Sequence, residues 1–146
     1  MICDYVHLHP ATVKLIYKIK GADKINMISD SGHAAGLEIS EFAVDGIMRY
    51  VKDGTVRLAD GTIAGSAQTL KDGVKKLLLS GFPIEDVSKM ASFNPAKTLK
   101  MDKDIGSLAE GKIADIVVLN QNYDVDYTFV DGICVYQREA NGGSLS

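Results

Sequence analysis

Lys24-Ile25-Asn26-Met27-Ile28-Ser29-Asp30, followed by Ser31-Gly32-His33-Ala34-Ala35-Gly36, is the stretch on which the fold turns. Residues 25–28 form an apolar run too short for a helix, and two glycines close behind Asp30 let the backbone turn sharply. The pattern predicts a buried strand that delivers one carboxylate to a loop. In a β/α barrel that is the address of a catalytic residue, because active sites there are built where strands end and βα loops begin. The competing reading is that Asp30 only caps a turn or the next helix, and these few residues do not decide between the two.

On the N-terminal side, Met1-Ile2-Cys3-Asp4-Tyr5-Val6-His7-Leu8 reads as a strand. His9-Pro10 then opens a helix with Val13, Ile16, Tyr17 and Lys20 at helical spacing, and Gly21 stops it. The first thirty residues thus predict a strand-helix-strand unit with parallel strands. On the C-terminal side, from Leu37, short stretches are broken by Asp45-Gly46, Asp53-Gly54 and Asp60-Gly61, which suits the hairpin turns of a small β meander. Ser66 is then placed to cap a helix carrying Leu70, Val74, Leu77 and Leu78, ended by Gly81. Pro83 starts another helix with Ile84, Val87, Met90 and Ala91 inward, and Asn94-Pro95 caps a third. The pattern then returns to strands: residues 114–119 are a buried apolar run, and Asp131-Gly132 turns a hairpin. The tail Asn141-Gly142-Gly143-Ser144-Leu145-Ser146 is flexible by composition.

The bulk numbers exclude more than they specify. A chain of 146 residues is about one domain long. A net charge of −3 with scattered Lys and Arg argues against a nucleic-acid partner. No apolar run approaches a membrane span and the N-terminus lacks signal-peptide regions, so the expected compartment is the cytoplasm, with no membrane partner. Cys3 and Cys134 each lie in an apolar run and are expected to be small buried thiols, neither disulfide-bonded nor metal ligands.

Two sets of stretches carry a resemblance. Asn94-Pro95-Ala96-Lys97, with Ile105-Gly106-Ser107-Leu108-Ala109-Glu110-Gly111-Lys112-Ile113-Ala114-Asp115-Ile116-Val117-Val118-Leu119, resembles the C-terminal signature of the amidohydrolase superfamily, in which metal-dependent barrel hydrolases return to a small β-sandwich. Asp4-Tyr5-Val6-His7, Ser29-Asp30 and Asp60-Gly61-Thr62-Ile63-Ala64-Gly65-Ser66, with the intervals between them, are most similar to the N-acetylglucosamine-6-phosphate deacetylase family within it. The resemblance covers nearly the whole chain but only the end of the family enzyme. It implies a C-terminal fragment with an α/β fold: the last two strands and C-terminal helices of a TIM (β/α)8 barrel plus the C-terminal part of the sandwich. Residues 1–36 would be the last barrel strand-helix-strand unit, 37–62 a sandwich segment, 63–104 helices returning to the barrel, 105–138 a second sandwich segment and 139–146 a flexible tail.

The same resemblance implies an activity and roles. The family enzyme hydrolyses the acetamide of N-acetylglucosamine 6-phosphate to glucosamine 6-phosphate and acetate, a step of amino-sugar catabolism. Asp30 would be the catalytic proton-transfer residue, and Asp4, Tyr5, Val6, His7, Ile63, Ala64 and Gly65 would contact substrate, with Gly65 allowing close backbone approach. His7 would hydrogen-bond the substrate where negative charge develops on its carbonyl. A divalent metal, zinc or similar, serves the full-length enzyme, held by a glutamate and two histidines on earlier barrel strands that this chain does not contain; no metal ligand is assigned here. The chain alone is therefore expected to bind no catalytic metal, to be inactive, and to form homo-oligomers through unpaired strand edges.

Two features qualify the match. His7-Leu8-His9 looks like the first-strand metal motif of many amidohydrolases, but the His-Pro helix start and the distance to Asp30 fit the later unit, and His9 is read as a helix-start or surface residue. Tyr5 stands where the family's Asp-Gly-x-His pattern has glycine, which puts the sugar contacts of residues 4–6 in question more than that of His7. His33 receives no role. The alternatives are another amidohydrolase, dihydroorotase-like or deaminase-like, and a non-catalytic folded remnant or interaction module.

Overall fold

The computed structural model describes residues 1–139, so the predicted flexible tail falls, from residue 140 on, outside the described residues. The chain is mixed α/β and divides into two compact units, Met1–Pro95 and Ala96–Ser146. Among the described residues no helix is long and apolar enough to cross a membrane.

In the first unit, helix α1 (Pro10–Lys20) forms where the sequence predicts it. His9 is its N-cap and accepts the Ala11 N–H through Nδ1 at 3.2 Å, Pro10 occupies the first turn, and Gly21 leaves the helix at φ 71°. Val13 is its fully buried residue, whereas Leu15 and Ile19 face solvent. The flanking strands are a correction. Residues 1–8 and 25–28 do not form strands; they touch through a single parallel bridge, Ile2↔Ile28, in which Ile28 N–H donates to Met1 O at 3.1 Å. The direction is the predicted one, but the ladder stops at once because Asp4 pulls the next backbone amides onto its side chain and Tyr5 takes φ 63°. Burial follows the predicted pattern only in part: Cys3, Ile25 and Met27 are in the core, but Ile28, expected inside the buried run, is 54% exposed.

Four consecutive antiparallel strands follow: β1 (Glu41–Val44), β2 (Ile47–Lys52), β3 (Thr55–Arg57) and β4 (Ile63–Ser66). Asp45-Gly46 and Asp53-Gly54 hold positive φ at both positions, 52° and 76°, 51° and 73°, the I′ geometry that matches strand twist. Asp60-Gly61 differs. Asp60 instead accepts the Thr62 N–H on Oδ1 at 2.9 Å, an Asx turn inside a longer connection. Residues 63–66 are a strand, not the approach to a helix, and Ser66 caps nothing: it is fully buried beside Thr55, its register partner.

Helix α2 (Leu70–Leu79) is capped by Thr69, whose N–H and hydroxyl both donate to Asp72 Oδ2 at 2.8 and 2.9 Å. Its inner face is Gly73, Leu77 and Leu78, and an ideal Cβ on Gly73 would lie 3.6 Å from Cys3 O and 3.4 Å from Met27 Cε. Helix α3 (Ile84–Ser88) follows Pro83 and buries Val87, but Ile84 is 53% exposed, contrary to its predicted inward position. Asn94-Pro95 does not cap a separate helix either. The backbone runs from α3 through a π turn (Lys89–Phe93) into α4 (Asn94–Thr98), the widened turn accommodating a proline that has no N–H to give. Freed from capping, Asn94 Nδ2 donates to Ala22 O and Ile25 O at 2.7 Å each, while Met27 N–H donates to Met90 O at 2.9 Å. The segment leading to Asp30 is thus gripped from both ends of the π turn.

In the second unit, β5 (Ile116–Leu119), β6 (Val125–Val130) and β7 (Ile133–Gln137) form an antiparallel meander, with Asp131-Gly132 again at positive φ. Lys112 Nζ gathers Asp102 O, Ile105 O and Ser107 Oγ, closing the turn that precedes β5. The run 114–119 is not buried as predicted, since Val117 is 57% exposed. Cys134 is likewise exposed, whereas Cys3 is buried as expected; both are free thiols.

Candidate active site

Three short segments meet at the candidate site. The first is residues 4–7. Asp4 is 3% exposed; its Oδ1 accepts the N–H groups of Val6 and His7, both at 3.0 Å, and its Oδ2 lies 2.7 Å from His7 Nδ1. Burial opposes its ionisation, but the two backbone donors and the His7 ring outweigh burial and hold the carboxyl below its ordinary value. An aspartate that gathers the amides after it bends the chain locally, and the bend throws Tyr5 into the left-handed region. Glycine adopts that conformation freely, which gives the family's glycine at this position a backbone reason and shows what tyrosine must tolerate. The Tyr5 side chain turns away and donates its hydroxyl to Ser80 Oγ at 2.8 Å.

The second segment is Asp30 itself. It too has positive φ, 55°, a left-handed conformation that aspartate adopts more readily than most residues with a side chain. Asp30 Oδ2 stands 3.6 Å from His7 Nε2, outside hydrogen-bond length, and its side chain is about half exposed. Asp4, His7 and Asp30 therefore form a line from a buried carboxylate to an accessible one.

The third is the end of β4. Ser66 N–H donates to Asp30 O at 3.0 Å and Gly32 N–H donates to Ser66 O at 2.9 Å, so the loop after Asp30 is stitched to the fourth strand. Ser31 Oγ adds a bond to Gln68 O at 2.8 Å. Gly65 holds φ 116° with Asp30 O 3.8 Å from where a Cβ would stand, so conformation rather than lack of room calls for glycine there. Ala64 is half-buried and Ile63 is 37% exposed at the outer end of the strand.

Of the sequence-predicted residues, Asp4, His7, Asp30 and Gly65 are brought together. Val6 contributes a backbone N–H to Asp4, and Tyr5 is committed to Ser80. His33 lies on the surface with its ring 6.2 Å from that of Phe42. Lys76 was not foreseen. Its ammonium donates to Asp4 O at 2.5 Å and Gln68 Oε1 at 2.6 Å, tying the Asp4 turn to α2. Nothing local marks it among the other helix lysines, since the contact spans 72 residues. An open cleft of about 520 Å³ between Gly54, Gln68, Asp72 and Lys75 contains none of the predicted residues. Among the described residues no three of His, Cys, Asp and Glu gather to hold a metal ion.

The chain is similar to known proteins over most of its length. The family model described as Amidohydrolase family matches residues 1–135. The N-acetylglucosamine-6-phosphate deacetylase of Lysinibacillus sphaericus is 32% identical over 133 residues, covering 90% of this chain and 34% of that protein. The crystal structure of the corresponding deacetylase from Thermotoga maritima superposes with TM-score 0.85 at 39% identity, covering 94% of this chain and 38% of that one. A mutant Mycobacterium smegmatis deacetylase, solved in complex with N-acetyl-D-glucosamine-6-phosphate, gives TM-score 0.80 at 28% identity, covering 92% and 36%. The chain thus spans about a third of the length of these relatives. With the family model covering nearly all of the described residues, this chain belongs to the amidohydrolase family.

Proposed function

We propose that this chain supplies the proton-transfer aspartate and part of the substrate cleft of an N-acetylglucosamine-6-phosphate deacetylase. The observation that carries the reading is the convergence on Asp30 of the Asp4–His7 pair and the glycine end of β4. In the reaction, a water oxygen bonds to the acetamide carbon and the C–N bond breaks. Asp30, half exposed on a loop held at both ends, accepts the proton that water releases and returns it to the departing amine, giving acetate and the amino sugar. His7 and the backbone of residues 63–65 line the approach to that carboxylate. A divalent metal belongs to this reading as the group that would lower the pKa of the attacking water. Among the described residues no three of His, Cys, Asp and Glu gather as a complete site for it.

The reading extends to the fold. Residues 1–36 are taken as the last strand-helix-strand unit of a β/α barrel, supported by the parallel Ile2↔Ile28 bridge across α1, and the two meanders as parts of a small sandwich. Two free thiols suit a reducing, cytoplasmic setting.

The test is a chimera in which residues 1–135 replace the matching third of the Lysinibacillus sphaericus enzyme. The folded chimera is expected to release acetate from N-acetylglucosamine 6-phosphate, and the metal-loaded chain alone to release none. Asp30→Asn in the chimera keeps the shape and removes the base, so kcat is expected to fall at least about a hundredfold. A variant keeping more than about a tenth of the rate would sink the assignment of Asp30.

A further inference from the structure

We propose that Asp4 is a positioning residue that fixes the His7 tautomer, leaving His7 Nε2 as a hydrogen-bond acceptor that orients the Asp30 carboxyl while it carries the transferred proton. This deepens the proposed deacetylase reading and rests on it. It differs from the substrate contacts that the resemblance implies for Asp4 and His7.

The two flanks of the ring are unequal. On one side Asp4 Oδ2 is 2.7 Å from Nδ1, a hydrogen-bond distance; on the other, Asp30 Oδ2 is 3.6 Å from Nε2, which is not. Asp4 is buried, and its Oδ1 is already taken by the N–H groups of Val6 and His7. An ionised carboxylate only accepts, so the proton of the pair sits on Nδ1, and in its neutral form the ring presents a bare Nε2 toward Asp30. In that form two acceptors face each other, which suits their 3.6 Å separation. Once Asp30 has taken a proton from water, its O–H can donate to Nε2 and the gap can close to a normal bond, aiming the acid until the amine takes the proton. Asp4 is in turn held from α2 by Lys76, which grips its carbonyl oxygen and leaves the carboxylate to the ring. The charged groups facing the ring in this arrangement are Asp4 and Asp30, with Lys76 behind Asp4.

The experiment reads the ring nitrogens of His7 by long-range nitrogen–proton correlation on the labelled chain, above the pH at which the ring becomes neutral. The expected wild-type pattern is a protonated Nδ1 and a pyridine-like Nε2. Asp4→Asn keeps an oxygen for the two backbone donors but turns an amide N–H toward Nδ1, so the proton is expected to move to Nε2. A wild-type ring protonated on Nε2 overturns the proposal, as does an unchanged tautomer in a folded Asp4→Asn chain. If that variant fails to fold, the wild-type spectrum alone decides. In the active chimera, Asp4→Asn is expected to lower kcat by roughly a hundredfold with KM nearly unchanged. A raised KM at constant kcat would return Asp4 to substrate contact. Failure of the substrate reading looks different: no acetate from the wild-type chimera, with the Nδ1-protonated ring intact.

Discussion

Two residues with side chains, Tyr5 and Asp30, sit at positive φ within the candidate site, and each such conformation costs about 1–3 kcal/mol. Neither was visible in the sequence as strain, although Tyr5 in a position where the family has glycine was its trace. The Asp4–His7 pair was named from the resemblance, but the 2.7 Å contact between Asp4 Oδ2 and His7 Nδ1 was not legible, because a carboxylate three residues before a histidine does not announce which of its neighbours it will bind. Cys3 and Cys134, which the sequence does not tell apart, differ in burial. Burial pushes the Cys3 thiol up to about 11, while Cys134 is exposed. A thiol-specific disulfide reagent at pH 8 is expected to label one cysteine per native chain and two after denaturation, since the thiolate is the reactive form. Rapid labelling of both in the native chain would contradict the buried position of Cys3. For stability, the raised folded value means that the unfolded chain loses the Cys3 proton first. That contribution is intact below the unfolded value of 9.0 and declines as pH climbs from there toward about 11.

At the scale of elements, what the sequence showed best were features whose causes lie within a few residues. The His9-Pro10 start and Gly21 stop of α1 are of this kind, as are the Asp-Gly hairpins at residues 45, 53 and 131, which demand positive φ at both positions. What it concealed depends on distant partners. The strand Ile63–Ser66 contains a glycine and shows no alternation; it exists because β3 and the loop after Asp30 flank it. The helix running through Asn94-Pro95 depends on a π turn that no propensity marks. Gly73 offers a test of packing at this scale. A Cβ there would meet only ordinary contacts, at 3.4 Å or more, and the residue lies inside α2 with no positive φ. Gly73→Ala is expected to stabilise the chain by about 0.5–1 kcal/mol, read as a raised denaturation midpoint. A loss of stability would mean that α2 sits closer to Cys3 and Met27 than described.

For the whole molecule, apolar surface and unpaired edges stand out. Residues 1–8 and 25–28 share one bridge instead of a ladder, and Val117, Val130, Ile133 and Val135 on the second meander are each at least half exposed. Backbone edges and apolar faces of this kind favour pairing with another copy. Sedimentation of the chain at micromolar concentration is expected to show dimers or larger species; a purely monomeric profile would remove this expectation. The stitching of β4 to the loop after Asp30 also has a bearing on time. The Ser66 and Gly32 amides are each held by a carbonyl across the Asp30 loop, so neither can exchange its hydrogen with solvent until that loop lets go. Their deuterium uptake is a clock for the opening of the loop that bears Asp30, running inside the chain whether or not a substrate is present.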